Sequence, residues 1–159
     1  NHGANHSINV IYSGTMSAAM EAAIEGIPSI GFSLMDYDAK ADFSLSKVVI
    51  KKVVAQLLEH LETVDEHLLL NVNIPKLAKN DIKGIKVCRQ GEGTWVEEFK
   101  EGKDPRNETY YWLTGQFKCE DEGNDTDLWA LENGYISIVP SGHDLTIYPA
   151  LKTNTHLEK

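Results

Sequence analysis

YSGTMSAAMEAAIEGIPSIGFSL, residues 12–34, reads as one amphipathic helix running directly into one buried strand. Met16, Ala19, Met20, Ala23, Ile24 and Ile27 recur at helical spacing, and Gly26 followed by Pro28 supplies the stop. Ser29-Ile30-Gly31-Phe32-Ser33-Leu34 is short and largely apolar, as strands covered on both faces of a parallel sheet are. The alternation then repeats. Phe43, Val49, Ile50, Val53, Val54, Leu57, Leu58 and Leu61 mark a long amphipathic helix from about Ala39 to Leu61. Leu68 to Ile74 (LLLNVNI) is the next strand, ended by Pro75. Helix, strand, helix, strand is the order of a doubly wound α/β sheet.

Past Pro75 the texture changes. Ile85-Lys86-Val87-Cys88 and Trp95-Val96-Glu97-Glu98-Phe99 read as short strands. Lys100 to Asn107, with Gly102, Asp104 and Pro105, reads as a turn, and Thr109-Tyr110-Tyr111-Trp112-Leu113 returns as an aromatic strand, so a long hairpin arm is expected. Glu120 to Asp127 is an acidic loop. Thr126 or Asp127 caps a short helix through Asn133, which Gly134 ends. Tyr135 to Pro140 is the last expected strand, and a terminal helix from Asp144 is expected to be interrupted by Pro149.

The whole chain sets bounds on function. Its 159 residues suffice for one domain with a real core, and 42% hydrophobic content is ordinary for a globular protein. A balance of 24 acidic against 15 basic residues gives a net charge of −9, which excludes the electrostatic footprint of a duplex nucleic-acid binder. A local nest of backbone amides can still hold a small anion in such a chain. No apolar run reaches the ~18 residues of a membrane helix, so no membrane partner is expected and the cytoplasm is the expected location. Cys88 and Cys119 form no CxxC pair and read as two free thiols. Asn1-His2-Gly3-Ala4-Asn5 is loop chemistry with no strand before it, from which we expect further sequence upstream.

That loop and the helix mouth carry the chemistry. The first amides of a helix have no internal partner, and with the helix dipole they favour an anion, phosphate above all. At the mouth stand Ser13, Gly14 and Thr15: a glycine that lets backbone approach closely and two hydroxyls able to donate to phosphate oxygens. On local pattern alone the commoner reading is that Ser13 or Thr15 simply caps the helix. The side-chain oxygen of Asn1 is a hard ligand suited to Mg²⁺ or Mn²⁺, and the amide of Asn5 can orient a phosphate; the pair also reads as an Asx-stabilised turn around Gly3. His2 and His6 at i, i+4 lack further ligands of matching spacing for zinc. Asp36, Asp38 and Asp42 read as a solvated capping cluster. His143-Asp144 reads as an acid–base pair or as a hinge hydrogen bond. Trp95, Phe99, Tyr110, Tyr111 and Trp112 offer either a base-stacking surface or a subunit contact.

Asn1-x-Gly3-x-Asn5, Tyr12-Ser13-Gly14-Thr15, Ala18-Ala19-Met20-Glu21 and Gly26-Ile27-Pro28-Ser29-Ile30 follow one another in this order. Asn71-Val72-Asn73-Ile74-Pro75, Arg89-Gln90-Gly91 and Asp104-Pro105-Arg106 come next. Tyr111-Trp112-Leu113-Thr114-Gly115, Thr126-Asp127, Gly134-Tyr135-Ile136-Ser137 and Asp144-Leu145-Thr146 complete the series. It resembles the SurE family from Asn1 to about Thr146. Met16, Ser17, Ala22 and Gly31 stand where that family more usually has valine, glycine, glycine and alanine.

The resemblance implies the C-terminal part of a doubly wound, Rossmann-like catalytic domain over residues 1–81. Over 82–159 it implies a β-rich arm and oligomerisation extension. It implies a metal-dependent hydrolase of nucleoside 5′- and 3′-monophosphates that uses one divalent cation, Mg²⁺ or Mn²⁺. Asn1 is the implied metal ligand, beside an aspartate pair and a serine expected upstream. Asn5, Ser13, Gly14 and Thr15 are implied at the phosphate, with Asn1, Ser13 and Thr15 the catalytic set. A homodimer or homotetramer through the 85–117 arm and the C-terminal tail is implied as well. Two rivals stand beside this reading. A Rossmann-type dinucleotide binder is disfavoured because no GxGxxG follows a strand. A non-catalytic, nucleotide-binding or oligomerising fragment is the other, since residues 1–159 without the aspartates are expected to hydrolyse nothing.

Overall fold

Helix and strand signals in residues 12–34 become α1 (Gly14–Ile24) and β1 (Ser29–Leu34) in a computed structural model, which describes residues 1–63 and 67–158. Gly26, at φ +74°, makes the left-handed turn between them. There follow α2 (Ser44–Glu59), β2 (Leu69–Ile74), β3 (Gly84–Val87), β4 (Gly93–Lys103) and β5 (Thr109–Cys119). α3 (Asp127–Glu132), β6 (Tyr135–Ser141) and α4 (Tyr148–Thr153) end the order.

Four strands form one mixed sheet in the order β1-β2-β6-β3. β1 runs parallel to β2, β6 antiparallel to β2, and β3 parallel to β6. Register fixes two faces. Ile30, Phe32 and Leu34 of β1 pack with Leu70, Val72 and Ile74 of β2 and Ile136 of β6 against Val49 and Val53 of α2. On the other face Leu69 meets Met16 and Ala23 of α1, while Val139 meets Ala130 of α3. Both faces are covered, so the small and polar residues that alternate with the apolar ones of β1 and β2, Ser29, Ser33, Asn71 and Asn73, are buried as well. The sheet draws on both expected segments, since β3 and β6 lie beyond residue 82.

One packing detail joins two of the unusual residues. A Cβ added at Gly31 would lie 2.3 Å from Met16 Sδ. The Met16 side chain occupies the space that a Cβ at position 31 would need, so a larger residue there would require Met16 to move.

Three expected boundaries are corrected. α2 begins at Ser44 rather than Ala39, because Asp36, Asp38 and Asp42 each accept the amide two residues on, holding residues 36–44 in successive Asx turns. The hairpin strands are 11 residues each, paired from Gly93↔Cys119 to Lys103↔Thr109, so Lys100–Lys103 are strand and the turn is confined to 104–108. Asp104 closes it by accepting from the amides of Arg106 and Glu108. Pro149 does not interrupt α4; it sits in the first turn, where a missing N–H costs nothing. Among the described residues no helix is long and apolar enough to cross a membrane. Cys88 and Cys119 are free thiols.

Candidate phosphate-binding site

Asn1 and His2 lie alongside the end of β1. The Leu34 amide donates to Asn1 O at 2.9 Å, and His2 bridges Leu34 in parallel. The Asn1 side chain is exposed, with Nδ2 turned to Gly3 O at 3.5 Å, so Oδ1 points away from that carbonyl. Gly3 turns the chain at φ +88°, and a Cβ there would press on the Tyr37 ring at 3.1 Å. The Gly3 amide reaches Asp36 O at 3.0 Å.

Asn5 is buried, and three polar residues of the sheet hold it. Its amide donates to Asn73 Oδ1 at 2.8 Å, and its side-chain Nδ2 donates to Ser33 Oγ at 2.6 Å. Asn71 Nδ2 donates to Asn5 O at 2.8 Å, and Asn73 Nδ2 to Asn71 Oδ1 at 2.9 Å. Ser33, Asn71 and Asn73 share the α1 face of the sheet by register. Leaving any one of these buried donors without its acceptor costs about 1–3 kcal/mol, so the network fixes where the loop sits. Sequence reading singled out Asn5; its supports Asn71 and Asn73 in β2 were visible only as family markers, and Ser33 in β1 was not singled out.

From Ser7 to Tyr12 the chain makes a 3-10 turn that local pattern did not foretell, then enters α1 at Ser13. Ser13 is the helix cap: Oγ accepts the Met16 amide at 3.1 Å. The cap reading therefore holds for Ser13, whose hydroxyl hydrogen is still free to be donated. The amides of Gly14 and Thr15 have no acceptor within the helix. Gly14 is exposed, with no atom within 4 Å of where a Cβ would stand. Thr15 lies over Gly31, its methyl 3.7 Å from where a Cβ would stand there, and Ser29 Oγ donates to Ala19 O at 2.6 Å. α1 thus runs back along β1, with its mouth at the carboxyl end of the strand where Asn1 and Asn5 also sit. In open α/β sheets that is where ligands bind.

A further anchor went unforeseen. Asp127, fully buried, accepts from the amides of Ser7 (2.9 Å), Gly91 (2.9 Å) and Leu128 (2.8 Å). Its local signal says only helix start, because the Ser7 partner stands 120 positions earlier.

Other candidates fall elsewhere. Among the described residues no group of three or more His, Cys, Asp or Glu could hold a metal ion. His6 is buried with its ring edge against Phe117, centroids 5.2 Å apart, and burial pushes its imidazole below the ordinary range. Asp36 is not solvated as expected: it is buried, and Lys76 at 2.9 Å holds its carboxyl below the usual range. Asp144 accepts from the Thr146 amide and the Tyr148 hydroxyl, a local clamp at the start of α4 rather than an acid–base pair with His143.

Chemically, two free amides and two hydroxyls at a helix mouth suit a phosphate. Asn1 Oδ1 is one hard, neutral oxygen beside them, which fits a single position in the oxygen shell of Mg²⁺ or Mn²⁺.

Comparison with known proteins bears on this arrangement. Residues 1–97 match the family profile described as Survival protein SurE. A 5′-nucleotidase SurE of Flavobacterium psychrophilum is 55% identical over 152 residues, covering 96% of this chain and 58% of that protein. That of Flavobacterium johnsoniae is 54% identical with the same coverage. The crystal structure of the SurE protein from Aquifex aeolicus superposes with a TM-score of 0.82 at 39% identity, over 100% of this chain and 63% of that one. The chain spans 58% of the length of the two Flavobacterium relatives.

Proposed function

The chain belongs to the SurE family, and on that premise we propose that the intact protein is a metal-dependent phosphomonoester hydrolase. Its substrates are nucleoside 5′- and 3′-monophosphates. The observation that carries this reading is the meeting of the α1 mouth with the Asn1–Asn5 loop at the carboxyl end of β1. Gly14 and Thr15 amides, with the Ser13 and Thr15 hydroxyls, bind the phosphate oxygens and stabilise the charge that shifts onto them. Asn5, locked by Ser33 and Asn73, orients the phosphate beside that mouth. Asn1 gives its side-chain oxygen to one divalent cation, Mg²⁺ or Mn²⁺, whose remaining ligands are the upstream aspartate pair and serine of the family. When bound, the cation neutralises phosphate charge and acidifies a water.

The fold and assembly belong to the same reading. Residues 1–81 are the C-terminal part of a Rossmann-like catalytic domain. Residues 82–159 add an extension whose arm and tail join copies of the chain into a dimer or tetramer. The exposed Phe99, Tyr111 and Trp112 of the arm support this, since they form apolar surface of the kind that interfaces cover. The cytoplasm is the proposed location.

The test is hydrolysis of a nucleoside monophosphate by the intact protein, with Mn²⁺ and with chelator, in wild type and Thr15→Val. The variant keeps the methyl over Gly31 and loses the hydroxyl donor. Wild type turns over only with metal, and Thr15→Val loses ~10²-fold in kcat, as when one preorganised donor is removed. Metal-independent turnover, or unchanged kcat in a folded Thr15→Val protein, overturns these assignments.

A further inference from the structure

Between Asn5 and Ser13, the two ends of the proposed phosphate loop, the chain is held at one point by a carboxylate from another element. We propose that Asp127 is a positioning residue for that loop, and that it ties the loop to the root of the β4–β5 arm. The inference rests on the phosphate-site reading above. Its geometry stands on separate observations.

Asp127 is inaccessible to solvent, and its oxygens divide the work. Oδ2 accepts the Ser7 amide, while Oδ1 accepts the amides of Gly91 and Leu128. Ser7 stands at φ +50°, a conformation that a serine adopts only when its surroundings hold it there. A bond from a backbone N–H to a buried carboxylate is charge-assisted and about twice as strong as a neutral one, so Oδ2 is the evident holder. Gly91 is packed so closely that a Cβ would lie 3.0 Å from Ser7 Oγ and 3.2 Å from Asp127 Oδ1. Gly91 stands two residues before β4. Asn9 and His6 add contacts to the same hairpin: Trp95 Nε1 donates to Asn9 Oδ1 at 2.8 Å, and His6 meets Phe117. The loop therefore takes its position from the sheet at Asn5, from α3 at Ser7 and from the arm at His6 and Asn9.

Asp127→Asn separates these links chemically. The asparagine oxygen can still accept from Gly91 and Leu128, but its NH₂ group then faces the Ser7 amide, donor against donor. The helix start and the arm root survive, and the loop link is broken. In the intact protein we expect kcat for nucleotide hydrolysis to fall ~10- to 100-fold, the scale of a misplaced catalytic group. Val139→Ala, which loosens the α3 contact with the sheet, serves as a control of matched thermal stability and keeps kcat. Equal kcat losses in the two variants, measured well below both transitions, would mean that Asp127 acts through stability alone and would overturn the proposal. Amide hydrogen exchange on the wild-type protein supplies a readout independent of activity and of any variant's folding. The Ser7 amide is expected to exchange at least ~10²-fold more slowly than an exposed amide, and free exchange there overturns the proposal. A protected Ser7 in a protein without phosphatase activity leaves the positioning contact standing and refutes the functional reading instead.

Discussion

His6 shows how one residue of the loop can be probed without an activity assay. Burial is the largest influence on its ring and lowers the pKa from 6.5, while the nearby Asp127 and Glu132 carboxylates act in the opposite direction. The unfolded chain then takes up the proton first. Stability is therefore full above about pH 6.5 and falls as pH drops from that value through the folded-state pKa. Asp36 and Asp121, held below their ordinary 3.8 by Lys76 and Arg89, lose their contributions only in more acid solution. Urea unfolding of the intact protein at pH 7.5, 6.5 and 5.5 should show a decline in wild type that His6→Leu flattens. Parallel curves for the two proteins would place the pH dependence elsewhere. At this scale the sequence was legible wherever a residue's role is set by near neighbours. Gly3, the Ser13 cap and Thr126 could all be read from their own few positions. Ser33 and Asn73 under Asn5, and Asp127 under Ser7, could not, because each partner is brought in from 28 to 120 positions away.

Elements were legible where hydrophobic period and turn chemistry agree. β1 matches its expected bounds at Ser29–Leu34, and Thr126 and Gly134 bracket α3 as read. α2 was read five residues too early because apolar spacing extends backwards through a loop whose aspartates hold the backbone in Asx turns. The arm was read in two short pieces because Glu98, Lys100, Glu101 and Lys103 break the apolar pattern of an 11-residue strand that is exposed on both sides. Its length sets up a clean test of the proposed subunit contact. Trp95 and Phe117 are register partners, so Val96–Gln116 can be replaced by an Asn-Gly turn that keeps the contacts to Asn9 and His6. Light scattering should then report a smaller assembly than wild type. An unchanged assembly mass would remove the distal arm from the interface.

Across the whole molecule, helices on both faces were foreseeable from the two apolar strands, but the strand order was not. Nothing in Tyr135–Pro140 says that β6 enters antiparallel between β2 and β3, since neighbour choice depends on closure of the sheet rather than on local pattern. What the topology achieves is convergence: the α1 mouth, the Asn1–Asn5 loop and the carboxyl ends of β1 and β2 meet at one edge, braced from behind by Asp127. On the proposed reading this edge holds phosphate and metal together. A crystal structure of the intact protein with Mn²⁺ and inorganic phosphate tests it directly. Phosphate oxygens are expected about 2.7–3.2 Å from the amides of Gly14 and Thr15, and Mn²⁺ is expected bound directly by Asn1 Oδ1, within about 3 Å. Phosphate seated away from the α1 mouth, or a metal farther than that from Asn1 Oδ1, would contradict it.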